Sequence, residues 1–217
     1  MSSLEEVWEQ REGEIYPKRF GPESEGIFTL KADLFAKLGQ KEVDPRWLHV
    51  GLFEFAPTEE RRTWVYVSSG LSNPWDTPAR DYDPEGYSEI GTELVMETPD
   101  QAAWALEILA RLTAFNLLLA AGRMGEAPPL DYGHRVPLRA SIDITGDSAL
   151  RSVMAWRAEH YEANFVLDSG RVDLLHFVGI SDAELDFAKA EGSDKLAARL
   201  IDGGAFPVTD PRRASLI

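Results

Sequence analysis

Residues 90–122 read IGTELVMETPDQAAWALEILARLTAFNLLLAAG, and the two halves of this stretch carry different periods. Ile90, Thr92, Leu94 and Met96 alternate with Gly91, Glu93 and Val95, the period of a half-buried strand. Beyond Thr98, the residues Trp104, Ile108, Leu112, Phe115 and Leu119 recur at helical spacing, and Ala105, Leu109 and Leu117 widen the stripe. Thr98, Pro99 and Gln101 suit a capped helix start, with proline in the first turn and an amide placed to reach back, while Gly122 suits a stop. The stretch predicts a strand leading into a long helix whose broad apolar face lies on a sheet.

Working outward, residues 47–56 (WLHVGLFEFA) and 63–69 (TWVYVSS) are rich in aromatic and β-branched side chains and flank Pro57-Thr58-Glu59-Glu60, the pattern of a hairpin. Both are apolar on both faces, as strands covered on each side are. Gly70 ends the pattern, and residues 71–86 form a long loop with Pro74, Pro78 and Pro84 among Asp76, Asp81 and Asp83. Leu30, Leu34, Phe35 and Leu38 make a helical stripe over 30–38. Downstream, 136–144, 163–168 and 171–178 read as strands, the last two joined by a tight turn at Ser169-Gly170. Ser181 and Glu184 form a capping box for a helix that closes at Gly192, and 194–202 reads as a final helix. This order predicts an α+β fold: a mixed, mostly antiparallel sheet packed by a long central helix and C-terminal helices. Residues 1–25 read as an arm, with Leu4, Val7 and Trp8 amphipathic and Tyr16–Pro22 loop-like. Residues 26–205 read as a single domain and 206–217 as a tail.

The chain has 217 residues, with 37 Asp and Glu against 22 Lys and Arg, a net charge of −15, and no cysteine. Without cysteine there is no disulfide, Cys-ligated zinc, iron–sulfur cluster or thiol nucleophile. The acidic balance argues against nucleic-acid binding through phosphate neutralisation. The first residues, MSSLEEVWEQREGEIY, are acidic where a signal peptide is basic, so a cytoplasmic protein is expected. The longest apolar run, Leu112 to Ala121, is short for a membrane span, and no membrane partner is expected. From Asp81 to Ala110 there are eight carboxylates and no lysine or arginine. Such a run is either a solvated face or an electrostatic lure for a basic partner.

Dinucleotide-binding, P-loop, H-E-x-x-H and nucleophile-elbow motifs are all missing. His49, His134, His160 and His176 stand singly, so neither a metal nor another cofactor is expected. His134 follows Asp131-Tyr132-Gly133, and Asp131 is placed to orient its imidazole, but a turn histidine is more often structural. His176 lies inside an apolar strand and reads as a core residue. No catalytic residue is assigned, and the chain is expected not to be an enzyme.

Several stretches together resemble the Suppressor of fused-like domain family over roughly 45–203. They are Ser69-Gly70-Leu71-Ser72 after a Trp/Tyr-rich strand, Gly91-Thr92-Glu93-Leu94, the Trp-containing helix, Gly133-His134, and Phe177-Val178-Gly179-Ile180-Ser181-Asp182-Ala183-Glu184-Leu185 followed by Glu191-Gly192. The resemblance implies protein binding rather than catalysis. Animal members sequester zinc-finger transcription factors whose peptide adds as a strand between this domain and a second, carboxy-terminal one. The chain is expected to lack that second domain and to be of the single-domain bacterial type. Such members are proposed as immunity proteins that neutralise a cognate toxin. In the loop after Ser72, where the animal proteins use aromatic and acidic side chains, Trp75, Tyr82 and Asp83 or Glu85 fall nearest, and Asp81 joins them in the expected partner-binding set. Pro74 and Pro78 depart from the family's loop. The partner is expected to be a basic protein. Two alternatives are a regulatory adaptor for a cellular protein and a small-molecule enzyme using the His134 and carboxylate loop.

Overall fold

Val65, Tyr66 and Val67 are all fully buried, which consecutive strand residues achieve only when each face of the sheet is covered. In a computed structural model of the chain, describing residues 4–143, 146–157 and 161–217, these residues belong to one eight-stranded sheet. Its strands are β1 (Phe28–Thr29), β2 (Gly51–Phe55), β3 (Trp64–Ser69), β4 (Tyr87–Thr98), β5 (Arg135–Pro137), β6 (Leu150–Trp156), β7 (Asn164–Leu167) and β8 (Gly170–Ser181). The spatial order is β1-β2-β3-β4-β8-β6-β5, and β7 pairs with β8 off this path. β4 and β8 run parallel, and the remaining pairs are antiparallel. The mixed, mostly antiparallel α+β architecture is thus as the sequence predicts.

Alternation sorts the side chains into two faces. Leu52, Tyr66, Leu94, Met96, Leu175 and Phe177 point to one face, where α4 (Ala103–Ala120) lies with α3 (Ala32–Lys37) beside it. Phe53, Phe55, Val65, Val67, Val95, Val172 and Leu174 point to the other, under the amino-terminal segment. Farther along that second face, Met154, Val178 and Ile180 are covered by α5 (Asp182–Glu191) and α6 (Ser193–Asp202). His176 sits at the seam of these two clusters, fully buried. Its Nε2 donates to the Pro207 carbonyl at 3.0 Å, which leaves Nδ1 to accept from the Tyr161 hydroxyl at 2.7 Å. His160 lies outside the described residues.

The long helix begins later than Thr98 and Pro99 suggest. Its cap position is Ala102, with no side-chain cap. The Thr98 hydroxyl donates to the Asp100 carbonyl, Gln101 reaches Glu54, and the Tyr66 hydroxyl accepts from the Ala102 N–H at 2.7 Å. Cross-sheet partners outbid a local cap. Ala105, Leu109, Leu112 and Asn116 run along the buried side of α4, so Trp104 and Phe115 flank the stripe rather than centre it. By length and composition α4 is apolar enough to cross a membrane, yet most of it is buried on the sheet.

Other boundaries also move. The strand expected over 136–144 is reduced to Arg135–Pro137, and Ile144 lies outside the described residues; β6, which the sequence pattern does not announce, is the long partner of β8. The β7–β8 turn is Asp168-Ser169, because Leu167 pairs with Gly170. Tyr16–Phe20, expected as loop, is helix α2, joined to α1 (Leu4–Trp8) through a π-helical stretch at Glu9–Ile15. The Ser181–Glu184 capping box forms as expected, and α5 ends before Gly192.

The amino-terminal helices are fixed by a buried charge pair. Glu93 on β4 accepts from Gly70 N–H at 2.9 Å, Ser72 N–H at 3.0 Å and Ser72 Oγ at 2.7 Å with one oxygen, and from Ser68 Oγ with the other. Arg11 lies 3.9 Å from the same carboxylate and donates to Ser69 Oγ and Ser72 Oγ, while its third nitrogen binds Glu12. Neither Arg11 nor Glu93 is exposed to solvent. At the other end of the chain, Arg213 donates to both oxygens of buried Glu184 at 2.7 Å and to the Gly179 carbonyl. Thr209 accepts from Gly179 N–H, and Val208 bridges to Glu97. A Cβ on Gly179 would come within 2.7 Å of Ile142 and 2.9 Å of Thr209, so glycine there lets the carboxy-terminal residues close on β8.

Leu112→Ala is expected to destabilise by about 2–5 kcal/mol in urea unfolding, the range for a truncated, packed leucine. Arg11→Met, which leaves Glu93 buried without its cation, is expected to cost about 3–5 kcal/mol, and Glu93→Gln on that background should recover part of it. Burial alone would raise the Glu184 carboxyl, but the bonds from Arg213, Leu216 N–H and Ser181 N–H hold it below the usual glutamate value. Its contribution is therefore complete above about pH 4.3 and lost as pH falls through the depressed folded value. Arg213→Gln should destabilise strongly at neutral pH and progressively less in acid, read by urea midpoints across a pH series.

Candidate functional site

The loop between β3 and β4 is anchored at both ends. At its start Gly70 has φ +122°, and a Cβ there would lie 2.9 Å from the Val50 side chain, so only glycine lets the backbone turn under Glu93. At its end Ser88 Oγ donates to the Ser72 carbonyl and meets Ser169 Oγ at 2.7 Å. Gly170 has φ +139°, and a Cβ there would meet Ser88 N at 2.6 Å, so the β8 backbone can close against the loop. Between these anchors the pairing of β4 with β8 shifts register from Tyr87 to Thr92. Within this bulge Glu89 takes φ +54°, a conformation rare for a residue with a side chain.

The bulge delivers Glu89 and Ile90 to a cleft of about 330 Å³, also lined by Trp75, Asp76, Arg46 and Arg123. Arg46 is tied to Asp44 and, at 2.7 Å, to Asp76, and the Arg123 guanidinium stacks on Trp47 at 4.8 Å. Burial, reinforced by the nearby Asp76 charge, pushes the Glu89 carboxyl up. Trp75 is half-buried, edge-on to Trp8 at 6.2 Å and tilted against His49 at 6.3 Å. Trp8 donates to Asn73 Oδ1 at 2.9 Å, whereas the buried Trp75 indole N–H has no acceptor among the described residues. A buried donor left unpaired costs about 1–3 kcal/mol, a cost that an incoming acceptor removes.

Of the five residues expected to bind a partner, Trp75 stands at this cleft. Asp81, Asp83 and Glu85 are exposed on the same loop, Asp81 at 3.7 Å from Arg80 and Asp83 accepting from the Glu85 N–H. Tyr82 is turned inward, packed against the core beneath the amino-terminal helices, and burial raises its hydroxyl. The acidic run is not one surface, because Glu93 and Glu97 are buried in the sheet. Arg46, Asp76, Glu89 and Arg123 escape the sequence reading, since the bulge and a contact between distant loops bring them together. His134 is held as a turn residue rather than paired with the Asp131 carboxylate: its Nδ1 accepts from the Asp131 backbone N–H at 3.1 Å, and the Asp131 carboxylate accepts from the Tyr132 N–H. Among the described residues no group of three or more histidine or carboxylate side chains is placed to hold a metal.

A family model described as Suppressor of fused protein (SUFU) matches residues 46–214. Comparison with curated protein sequences finds no match. Among solved structures, the crystal structure of Drosophila Suppressor of Fused is similar with a TM-score of 0.59 and 18% identity, over 77% of this chain and 42% of that one. The chain thus spans under half of the Drosophila protein. A chain of the Sufu-Fu complex gives a TM-score of 0.67 and 20% identity over 98% of this chain and 91% of that one. A SUFU homologue from Neisseria gonorrhoeae FA 1090 gives 0.62 and 16% over 93% and 92%. Identities this low speak to the fold, and the family match, which takes in β2 through the Arg213–Glu184 pair, decides the assignment: the chain belongs to the Suppressor of fused family.

Proposed function

We propose that this chain is a protein-binding module that occupies a partner protein, and that it is of the immunity type, neutralising a basic toxin in the cytoplasm. Membership of the family supports binding, as does the presence of a similar chain in the Sufu-Fu complex. The observation that carries the reading is Trp75, a half-buried indole that lines the cleft and whose N–H has no acceptor among the described residues. Large, partly desolvated aromatics of this kind anchor interfaces. Around it the exposed carboxylates Asp81, Asp83 and Glu85 favour a cationic partner and act mainly on the rate of encounter. Tyr82 is assigned a packing role that shapes the loop rather than a contact.

Capture of the partner from native lysate, followed by association and dissociation kinetics at two salt concentrations, tests this reading. Asp81→Lys, Asp83→Lys and Glu85→Lys combined should slow association and flatten its salt dependence. Trp75→Ala should speed dissociation, at a cost of about 2 kcal/mol or more. Unchanged kinetics in both folded variants would remove the binding surface from this loop, and a captured transcriptional regulator would replace the immunity role with that of an adaptor.

A further inference from the structure

A second concave surface lies away from the Trp75 cleft, between the π-helical stretch Glu9–Ile15 and the chain as it passes from Pro22 to Ile27. It is a groove of about 560 Å³ whose floor is Tyr16, Phe53 and Phe55, each almost wholly buried. At its mouth Ile27 lies over Gly51, where a Cβ would meet it at 2.6 Å, and stays 41% exposed. Three glutamates, Glu9, Glu12 and Glu23, line it, and among the described residues that line it there is no lysine or arginine.

These carboxylates differ in one respect. Glu12 is spent on Arg11 and Ser69, whereas the side chains of Glu9 and Glu23 form neither an ion pair nor a hydrogen bond with any described residue. The Glu9 carboxylate lies close over Gly13, where a Cβ would come within 2.4 Å of one of its oxygens. A glycine within a helix is unfavourable relative to alanine, and π-helical turns are rare and concentrate at functional sites. An apolar floor under two uncommitted carboxylates asks for an apolar group flanked by positive charge. A second copy of this chain, with net charge −15, is the wrong occupant.

We infer that this groove docks an extended segment of a partner protein in which an aliphatic or aromatic side chain sits between lysines or arginines. The apolar side chain covers Phe53 and Phe55 beside Ile27, and the flanking cations meet Glu9 and Glu23. The surface is independent of the Trp75 loop, and either can stand without the other.

The test uses the full chain and a short capped peptide of alternating lysine and leucine, titrated by calorimetry and by amide chemical shifts. Peptides of alternating lysine and serine and of alternating glutamate and leucine serve as controls. Binding of the lysine–leucine peptide alone is expected, with shifts centred on Glu9, Glu23 and Ile27. Glu9→Gln/Glu23→Gln should weaken it about three- to tenfold, and Ile27→Ser should weaken it further, while Glu107→Gln/Glu126→Gln, which removes two exposed carboxylates outside the groove, should leave it unchanged. Circular dichroism checks that each variant is folded. Absence of binding, equal binding of the lysine–serine peptide, or equal loss in the two charge-removal variants would overturn the inference. None of these results bears on the kinetics expected of the Trp75 loop.

Discussion

Burying Glu93 is the constraint on which the rest of the amino-terminal half depends. A carboxylate in the middle of a sheet is costly unless its lone pairs are filled and its charge is answered. Here the filling comes from the end of β3, where Ser68, Gly70 and Ser72 all donate, and the answering charge comes from Arg11, many residues earlier. The arrangement sets the direction of the loop that leaves Gly70 and seals the amino-terminal helices to the sheet. It also explains why a Ser-Gly-Leu-Ser stretch and a Gly-Thr-Glu-Leu stretch belong together: they are donors and acceptor of one network. The loop that carries Trp75 is thus suspended from a rigid point.

The second fixed point is Glu184, which caps its own helix through Ser181 and binds Arg213 from the carboxy-terminal residues. The two buried glutamates hold opposite ends of the chain against the second face of the sheet, with His176 and Tyr161 at the seam between the clusters they secure. The Trp75 loop and the Glu9–Glu23 groove both adjoin the Arg11 network, and Glu12 touches both the groove and Ser69.

What could be read in the sequence was local. The strand through Leu94 and Met96, the hairpin around residues 57–60 and the Ser181–Glu184 box involve neighbours in the chain, and each formed in place, although Glu93 and Val95, read as the open face of a half-buried strand, are buried as well. What could not be read was settled by distant partners. Thr98 lost its capping role because Tyr66 and Glu54 took the polar groups at the helix start. β6 was hidden because LRSVMAW lacks clean alternation, even though the turn residues Gly146-Asp147-Ser148 precede it, and it is a strand because it pairs along β8. At the candidate site Trp75 and the exposed Asp81, Asp83 and Glu85 stood out by composition. Glu89 and Arg46 did not, since a positive-φ bulge and a loop-to-loop ion pair leave no periodic trace. Tyr82, between Asp81 and Asp83, packs its partly buried ring against the core beneath the amino-terminal helices.

The parallel pairing of β4 with β8 bears on how the protein comes to exist in the cell. The strand containing Leu94 pairs with β3 on one side, but its neighbour on the other is the segment around Leu175, made much later in synthesis. Until that segment leaves the ribosome, β4 offers an open, strongly apolar edge, and α4 alone shelters one face of it. Sheets closed by such distant pairings fold slowly and expose sticky edges meanwhile. The sheet is therefore completed late in synthesis, when the segment around Leu175 takes its place between β4 and β6.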